Sequence, residues 1–407
     1  MRNKKNIIKA SSAQLPELEW YVGNKEVHLL RYYEPEPGIF IAESKNVIDI
    51  ALRKGYEPLS VVCTEKMEKD EILDRVGEAP IYIVDPEDAK REFGYVLTGG
   101  ISCAMRRKEN FDYKSFQSKY FVMTEKEYYD NESLCNEDFD FDVYITGSDQ
   151  VWNINCVDAD DAYFLNFVKQ GKKIAYATSL GANDIKKTSC NSDKYVNYLK
   201  SFDFISVREM NAVSQITSLS GRNDIQLQID PTLFLTREEW ANSIDIGERM
   251  IKEDYIFYYA FTYSKEVNKI VQSISAKYNL PVYIMDVKNW GPKGLRKLGF
   301  NLSSEFGPSA FINLIKYSKL VFTTSFHGTV FSVIFGINFW YVDSSMHNSK
   351  DDRAVSLLSQ LGLPDRLQNG NYLLSHDVMV KWNVQDVYKR IKLLQCDAEK
   401  FLLNSIK

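Results

Sequence analysis

Histidine and cysteine are scarce in this chain. Four histidines, His28, His327, His347 and His376, are spread over 407 residues, too few and too scattered for a histidine-rich metal site. The six cysteines, Cys63, Cys103, Cys135, Cys156, Cys190 and Cys396, never stand as a C-x-x-C pair. Neither a zinc ribbon nor a dithiol redox motif is therefore written here, and single scattered thiols suit a reducing compartment. No apolar run approaches the roughly 20 residues that a bilayer span needs. The basic first ten residues are not followed by the apolar stretch of a signal peptide. A cytoplasmic protein without a membrane span is expected. Excess basic charge is lacking too: the net charge is −5, which argues against a nucleic-acid surface over the whole protein. There is no internal repeat, no low-complexity tract and no Gly/Ser/Pro linker.

What is present is a globular composition, 44% hydrophobic and 26% charged, at a length that suits two or three domains. Pattern changes divide the chain into residues 1–110, 111–250 and 251–407. In the first segment, residues 38–42, 59–64 and 81–84 read as strands, and Asn46–Lys54 has helical apolar spacing closed by Gly55. This order predicts a small α/β sandwich. In the second, Phe141–Thr146, Lys173–Thr178, Phe204–Val207 and Ile225–Ile229 read as strands, with a helical pattern over Asp193–Lys200. In the third, Tyr255–Phe261, Val282–Met285, Leu320–Phe322 and Phe339–Val342 read as strands. Phe311–Tyr317, Val330–Phe335 and Val384–Leu403 read as helices. Strands alternating with helices predict two doubly wound, parallel-sheet α/β domains, with ligands at the carboxyl ends of the strands.

Four strand ends carry candidate chemistry. Leu320–Phe322 runs into Thr323, Thr324, Ser325, Phe326, His327, Gly328 and Thr329, then an apolar helix. Ser325 or Thr329 could cap that helix, whose amino terminus offers N–H groups and a partial positive charge to an anion. Gly328 permits close backbone approach, and His327 stands where a strand-end acid or base would stand. The competing reading is a structural histidine at a tight turn. After Phe141–Thr146 come Gly147, Ser148, Asp149, Gln150, Val151 and Trp152. Ser148, Asp149 and Gln150 can hydrogen-bond sugar or phosphate oxygens and Trp152 could stack on a sugar ring; alternatively Asp149 caps a following helix. Arg208, after Ser206 and Val207, can clamp a phosphate or carboxylate with paired hydrogen bonds, or pair with Glu209. Asp230, Pro231 and Thr232 read as a proline-led helix start, and the aromatic stretch Tyr255–Phe261 as a core strand.

These blocks resemble, in order, those of the polysaccharide pyruvyl transferase family. They are Asp142–Asn153, Ala175–Gly181, Ser206–Glu209, Asp230–Thr232 and Thr324–Thr329, with Arg353–Arg366 resembling the closing block. The resemblance covers residues 111–366. It implies two Rossmann-like halves facing a cleft in a GT-B-like arrangement. It also implies phosphoenolpyruvate as donor and a sugar of a cell-surface polysaccharide, free or carried on lipid, as acceptor. The product would be a cyclic pyruvate ketal, with phosphate released and no metal or organic cofactor. His327 would be the acid that protonates the donor methylene, Arg208 a donor-binding cation, and Ser148, Asp149, Gln150, Ser325, Gly328 and Thr329 substrate contacts. Where some members have arginine two places before the histidine, this chain has Ser325.

Residues 15–107 resemble something else, the substrate-binding domain of SpoU-type RNA 2′-O-ribose methyltransferases. The likeness is carried by Leu18–Tyr21, Glu34–Ser44, Ala51–Ser60, Leu97–Gly100 and Cys103–Arg107. It implies an L30e-like α/β sandwich that contacts RNA. The knotted methyl-donor domain does not follow, so methyl transfer is not expected, and the first Rossmann-like half reads as truncated. Two other functions stay open at this point: an inactive RNA-binding fusion, and a glycosyltransferase using a nucleotide sugar.

Overall fold

The structure is a computed structural model. It describes residues 7–9, 45–53, 58, 60–65, 68, 70–77, 79–85, 112–128, 130–156, 158–181, 183–290, 294–342 and 353–407. The strand expected at 38–42, most of the SpoU-like blocks, and His28 and His347 lie outside these residues. The chain divides into two compact units, Met1–Lys114 with Asp286–Leu295, and Ser115–Met285 with Arg296–Lys407.

The first unit has a three-stranded parallel sheet of β1 (Ile7–Lys9), β2 (Val61–Thr64) and β3 (Ile81–Val84), ordered β1-β3-β2. Its strands at 61–64 and 81–84 and its helix α1 (Lys45–Arg53) fall where the apolar pattern put them. A small core joins Val61, Ile72, Leu73, Val76 and Ile81, with Ile48 and Leu52 of α1 packed against it.

The second unit holds two parallel sheets. The first is ordered β4-β5-β6-β7: β4 (Val143–Thr146), β5 (Lys172–Thr178), β6 (Phe204–Val207) and β7 (Gln226–Leu227). The second is ordered β10-β9-β8-β11-β12-β13: β8 (Ile256–Tyr259), β9 (Val282–Ile284), β10 (Asn301–Leu302), β11 (Leu320–Thr323), β12 (Phe339–Val342) and β13 (Leu367–Gln368). Renumbered from its own first strand, that order is 3-2-1-4-5-6, the Rossmann order, whose direction reverses between β8 and β11. The connecting helices range from amphipathic, as over Lys265–Tyr278, to almost wholly buried, as over Phe326–Ile334. They include α2 (Ser192–Lys200), α3 (Met210–Ser220), α4 (Lys265–Tyr278), α5 (Gly307–Lys316), α6 (Phe326–Ile334) and α7 (Arg353–Leu361). The last, α8 (Val384–Ile406), buries Val387, Ile391, Gln395, Ala398, Phe401 and Ser405, a three-to-four-residue spacing that makes one face. This face crosses back onto the first sheet. Gln395 donates to the carbonyls of Leu233 and Phe234 at 2.7 and 3.2 Å, and Phe401 packs on Tyr176 of β5 and Phe204 of β6. Among the described residues no helix is long and apolar enough to cross a membrane.

The central strands are buried on both faces, which explains their unbroken apolar runs. Tyr255, Ile256, Phe257 and Tyr258 are all inaccessible, as expected for a core strand. Trp152 corrects the sequence reading. It does not face a ligand: it is fully buried, stacked on Phe164 with centroids 5.3 Å apart and planes 2° from parallel, and its indole N–H donates to Tyr163 O at 3.1 Å. Beside a polar turn a tryptophan looks like a stacking platform. Here the turn folds it inward, and burial of the large ring is the stronger force. Trp152→Ala should therefore lower the unfolding free energy by about 3–5 kcal/mol, read from urea titrations followed by circular dichroism.

Candidate functional site

The carboxyl ends of β4, β6, β7 and β11 bring together Ser148, Arg208, Asp230 and His327. Arg208 follows β6 and is 3% exposed. Burial of a guanidinium is costly unless its charge is matched, and three carboxylates match it. Nη1 donates to Asp230 Oδ2 at 2.6 Å, Nε to Glu209 Oε1 at 3.0 Å and Nη2 to Asp149 Oδ1 at 3.3 Å. The Phe326 ring of α6 covers the guanidinium, its centroid 4.0 Å from Cζ, a cation–π contact at a desolvated site. Burial opposes the charge on Arg208, but Asp230 and Glu209 outweigh it and raise the guanidinium pKa above its ordinary value.

Asp230 is the hub. Its Oδ1 accepts from the backbone N–H of Thr232 at 3.0 Å and from the Thr232 hydroxyl at 2.6 Å. Asp230 therefore does start a proline-led turn, Pro231–Phe234, as the sequence suggested. Its other oxygen, Oδ2, takes Arg208, stands 3.0 Å from Ser148 Oγ, and faces His327 Nε2 at 3.7 Å. Burial would raise the Asp230 pKa. Attraction to His327 and Arg208 reverses that effect and holds the carboxyl well below the usual carboxylate range.

His327 arrives from the other sheet. β11 ends beside β8 at the reversal of strand order, where Thr323 Oγ1 donates to Tyr259 O at 2.8 Å and accepts from Ser325 N at 2.9 Å. Ser325 caps α6 through Gly328 N at 3.4 Å. Gly328 is required at this point: a Cβ would run into the pinned Thr323 hydroxyl. His327 is then the second residue of the helix. Its side chain is one-third exposed while Phe326 and Gly328 on either side are buried. Helix geometry leaves the N–H groups of Phe326 and His327 outside the intrahelical ladder.

The other expected contacts divide by exposure. The Asp149 side chain is 62% exposed, with φ of 58°. No helix follows it, so it is not a cap. Gln150 is half-buried and its Oε1 accepts from Asn153 Nδ2 at 3.0 Å. Ser148 has one hydroxyl proton and two acceptors in reach, Ala177 O at 2.7 Å and Asp230 Oδ2. Gly147, at φ 120°, admits the Tyr176 carbonyl where a Cβ would collide. Ser325 and Thr329 turn inward, the latter donating to Ser325 O at 3.1 Å. Their work is to hold the first turn of α6. The sequence reading missed Asp230 as the charge hub, because its Asp-Pro-Thr pattern is fully explained by a helix start. It also missed Phe326, an apolar neighbour of the histidine. Burial, Asp158 and Asp149 raise the Cys156 thiol pKa, and Arg353 at the start of α7 opposes them. The first turn of α7 also meets the start of α3, where Ser356 Oγ accepts from Met210 N at 3.3 Å.

The family described as polysaccharide pyruvyl transferase matches residues 69–346, well over half of the chain. This protein belongs to the polysaccharide pyruvyl transferase family. The match reaches back to residue 69 and so takes in β3, which the sequence reading assigned to the preceding domain. No curated protein matches the chain. Among solved structures, the UDP-GlcNAc 2-epimerase of Neisseria meningitidis is 9% identical, with 88% of this chain and 95% of that one covered at a TM-score of 0.39. The Methanocaldococcus jannaschii enzyme of the same name is 11% identical, with 86% and 88% covered at 0.39. A further UDP-N-acetylglucosamine 2-epimerase is 12% identical, with 87% and 89% covered at 0.42. These superpositions are loose, and the Rossmann-like assignment stands on the sheet order alone.

Two outcomes are expected of the buried pair in this pyruvyl transferase family member. Arg208→Leu strands Asp230 without its charge partner and should destabilise the protein by about 3–5 kcal/mol. In acid, the unfolded Asp230 takes up a proton before the folded one, since the folded pKa is the lower. Its contribution is complete above about pH 5, where the unfolded carboxyl with its ordinary pKa of about 3.9 is also ionised, and is lost progressively as the pH falls below that. Denaturant midpoints measured between pH 3 and 7 should fall less steeply in Asp230→Asn than in the wild type.

Proposed function

We propose that the chain transfers the pyruvyl group of phosphoenolpyruvate to two hydroxyls of a saccharide, forming a ketal and releasing phosphate. The observation that carries this reading is His327. In a member of this family, it is the partly exposed residue of a helix start, 3.7 Å from the buried carboxylate of Asp230. In this reading His327 protonates the donor methylene carbon, which makes the enol carbon electrophilic. One sugar hydroxyl adds to that carbon and gives up its proton. The second hydroxyl then displaces phosphate by cleavage of the carbon–oxygen bond, its proton leaving with the phosphate. Asp230 fixes the orientation of the imidazole and so acts through it as a positioning residue.

Arg208 has a different part from the one its sequence position suggested. One guanidinium is shared by three carboxylates. It orders the strand ends, its Nε, Nη1 and Nη2 donors turned to Glu209, Asp230 and Asp149 rather than to a donor that carries phosphate and carboxylate. Attraction for the donor falls to the amino terminus of α6, where the N–H groups of Phe326 and His327 lie outside the helix's own ladder, and to Arg353. For residues 1–68, which precede the family match, we keep the RNA-contacting role that the SpoU-like blocks imply, without methyl transfer.

Calorimetric titration with phosphoenolpyruvate should show saturable binding to the wild type, and Arg353→Ala should weaken it about tenfold, roughly 1.4 kcal/mol. His327→Gln should retain donor binding and reduce phosphate release in the presence of acceptor by about 10²–10⁴-fold, the contribution of a positioned acid. Undiminished phosphate release by His327→Gln would overturn the assignment.

A further inference from the structure

The loop that leaves β4 does two things. Asp149 turns toward Arg208, and two residues later Val151 turns toward a separate cavity of about 310 Å³, near the lower limit for small-molecule sites. Two residues span at most about 7 Å, so the cavity wall adjoins the charged centre. Its floor is Phe164, packed from below by Trp152, with Tyr195 tilted against it at 5.1 Å. Val151 and Ile154 add apolar surface. The polar edge is the pair Asp161 and Lys194. Lys194 Nζ donates to Asp161 Oδ2 at 2.8 Å, and the Tyr198 hydroxyl donates to the same oxygen at 3.1 Å. Among the described residues, Asp161 Oδ1 and two of the three ammonium protons of Lys194 have no hydrogen-bond partner.

We propose that this cavity seats a neutral sugar ring of the saccharide acceptor, which rests on the pyruvyl-transfer reading above. The chemistry is that of a vicinal diol. One hydroxyl accepts from Lys194 while its neighbour donates to Asp161, and the C–H face of the pyranose lies against Tyr195, Val151 and Ile154. The charges select for neutrality. Lys194 is balanced by Asp161, and Asp160 on the same rim adds a further negative charge, which disfavours a phosphate or a nucleotide. The cavity thus complements the anion-attracting amino terminus of α6 by taking the uncharged substrate.

The test is saturation-transfer NMR on the full chain with the methyl glycosides of glucose, galactose, mannose and N-acetylglucosamine, and phosphoenolpyruvate calorimetry on the same samples. At least one glycoside should receive saturation from the wild type. Tyr195→Ala and Asp161→Asn should each cut that signal at least fivefold, with donor affinity changed less than twofold. Tyr195→Phe, which keeps the ring, should retain the signal and guards against a mere folding defect. Signal that survives in both disruptive variants, or no signal from a wild type that binds phosphoenolpyruvate, overturns the cavity assignment. Signal lost in the two variants of a protein that does not bind phosphoenolpyruvate supports the sugar site and removes the pyruvyl reading instead.

Discussion

The ion pair between Arg208 and Asp230 is the constraint around which the site is built. Two opposite charges, each almost wholly removed from water, can be held only where every surrounding polar group is placed to receive them. That requirement fixes the ends of β6 and β7, the turn through Thr232, the Ser148 hydroxyl after β4 and the Phe326 ring at the start of α6. The catalytic candidate, His327, takes its position from the same carboxylate. The placement of the exposed residue is therefore inherited from buried groups.

This arrangement separates two jobs that a strand-end arginine could combine. A guanidinium with spare forked donors facing solvent grips an anion; one whose donors are turned to three carboxylates builds a scaffold. Arg208 is of the second kind. Its Nε, Nη1 and Nη2 donors are thereby turned inward, to groups of the protein itself. Exposed Asp149 lies at the edge of this scaffold, on a loop that continues into an aromatic-lined cavity.

Much of the scaffold was legible in the sequence because its signals are local. Strands such as Phe204–Val207 and Phe339–Val342 are short apolar runs bounded by polar turns, and their observed limits match the pattern. The reading of Ile225–Ile229 was longer than the ladder, which keeps only Gln226–Leu227. The placement of candidates at strand ends was legible for the same reason. What was not legible is pairing across distance. The partners of Arg208 and Ser148 are up to 82 residues away, and nothing in a local pattern says which carboxylate a buried arginine meets. Side-chain direction was hidden as well. Ser325 and Thr329 look like ligand contacts and face inward, and Trp152 looks like a platform and is core.

The path of α8 has a consequence for the order in which the protein is made. Its Phe401 and Gln395 cover strands and a turn of the first sheet, although Phe204 of β6 leaves the ribosome almost two hundred residues earlier. At about 5–20 residues per second, the face of β5 and β6 stays bare for on the order of ten to forty seconds of synthesis. The nascent chain has to keep that apolar face from other chains throughout this interval, so a premature stop ahead of α8 would release a sheet without its cover.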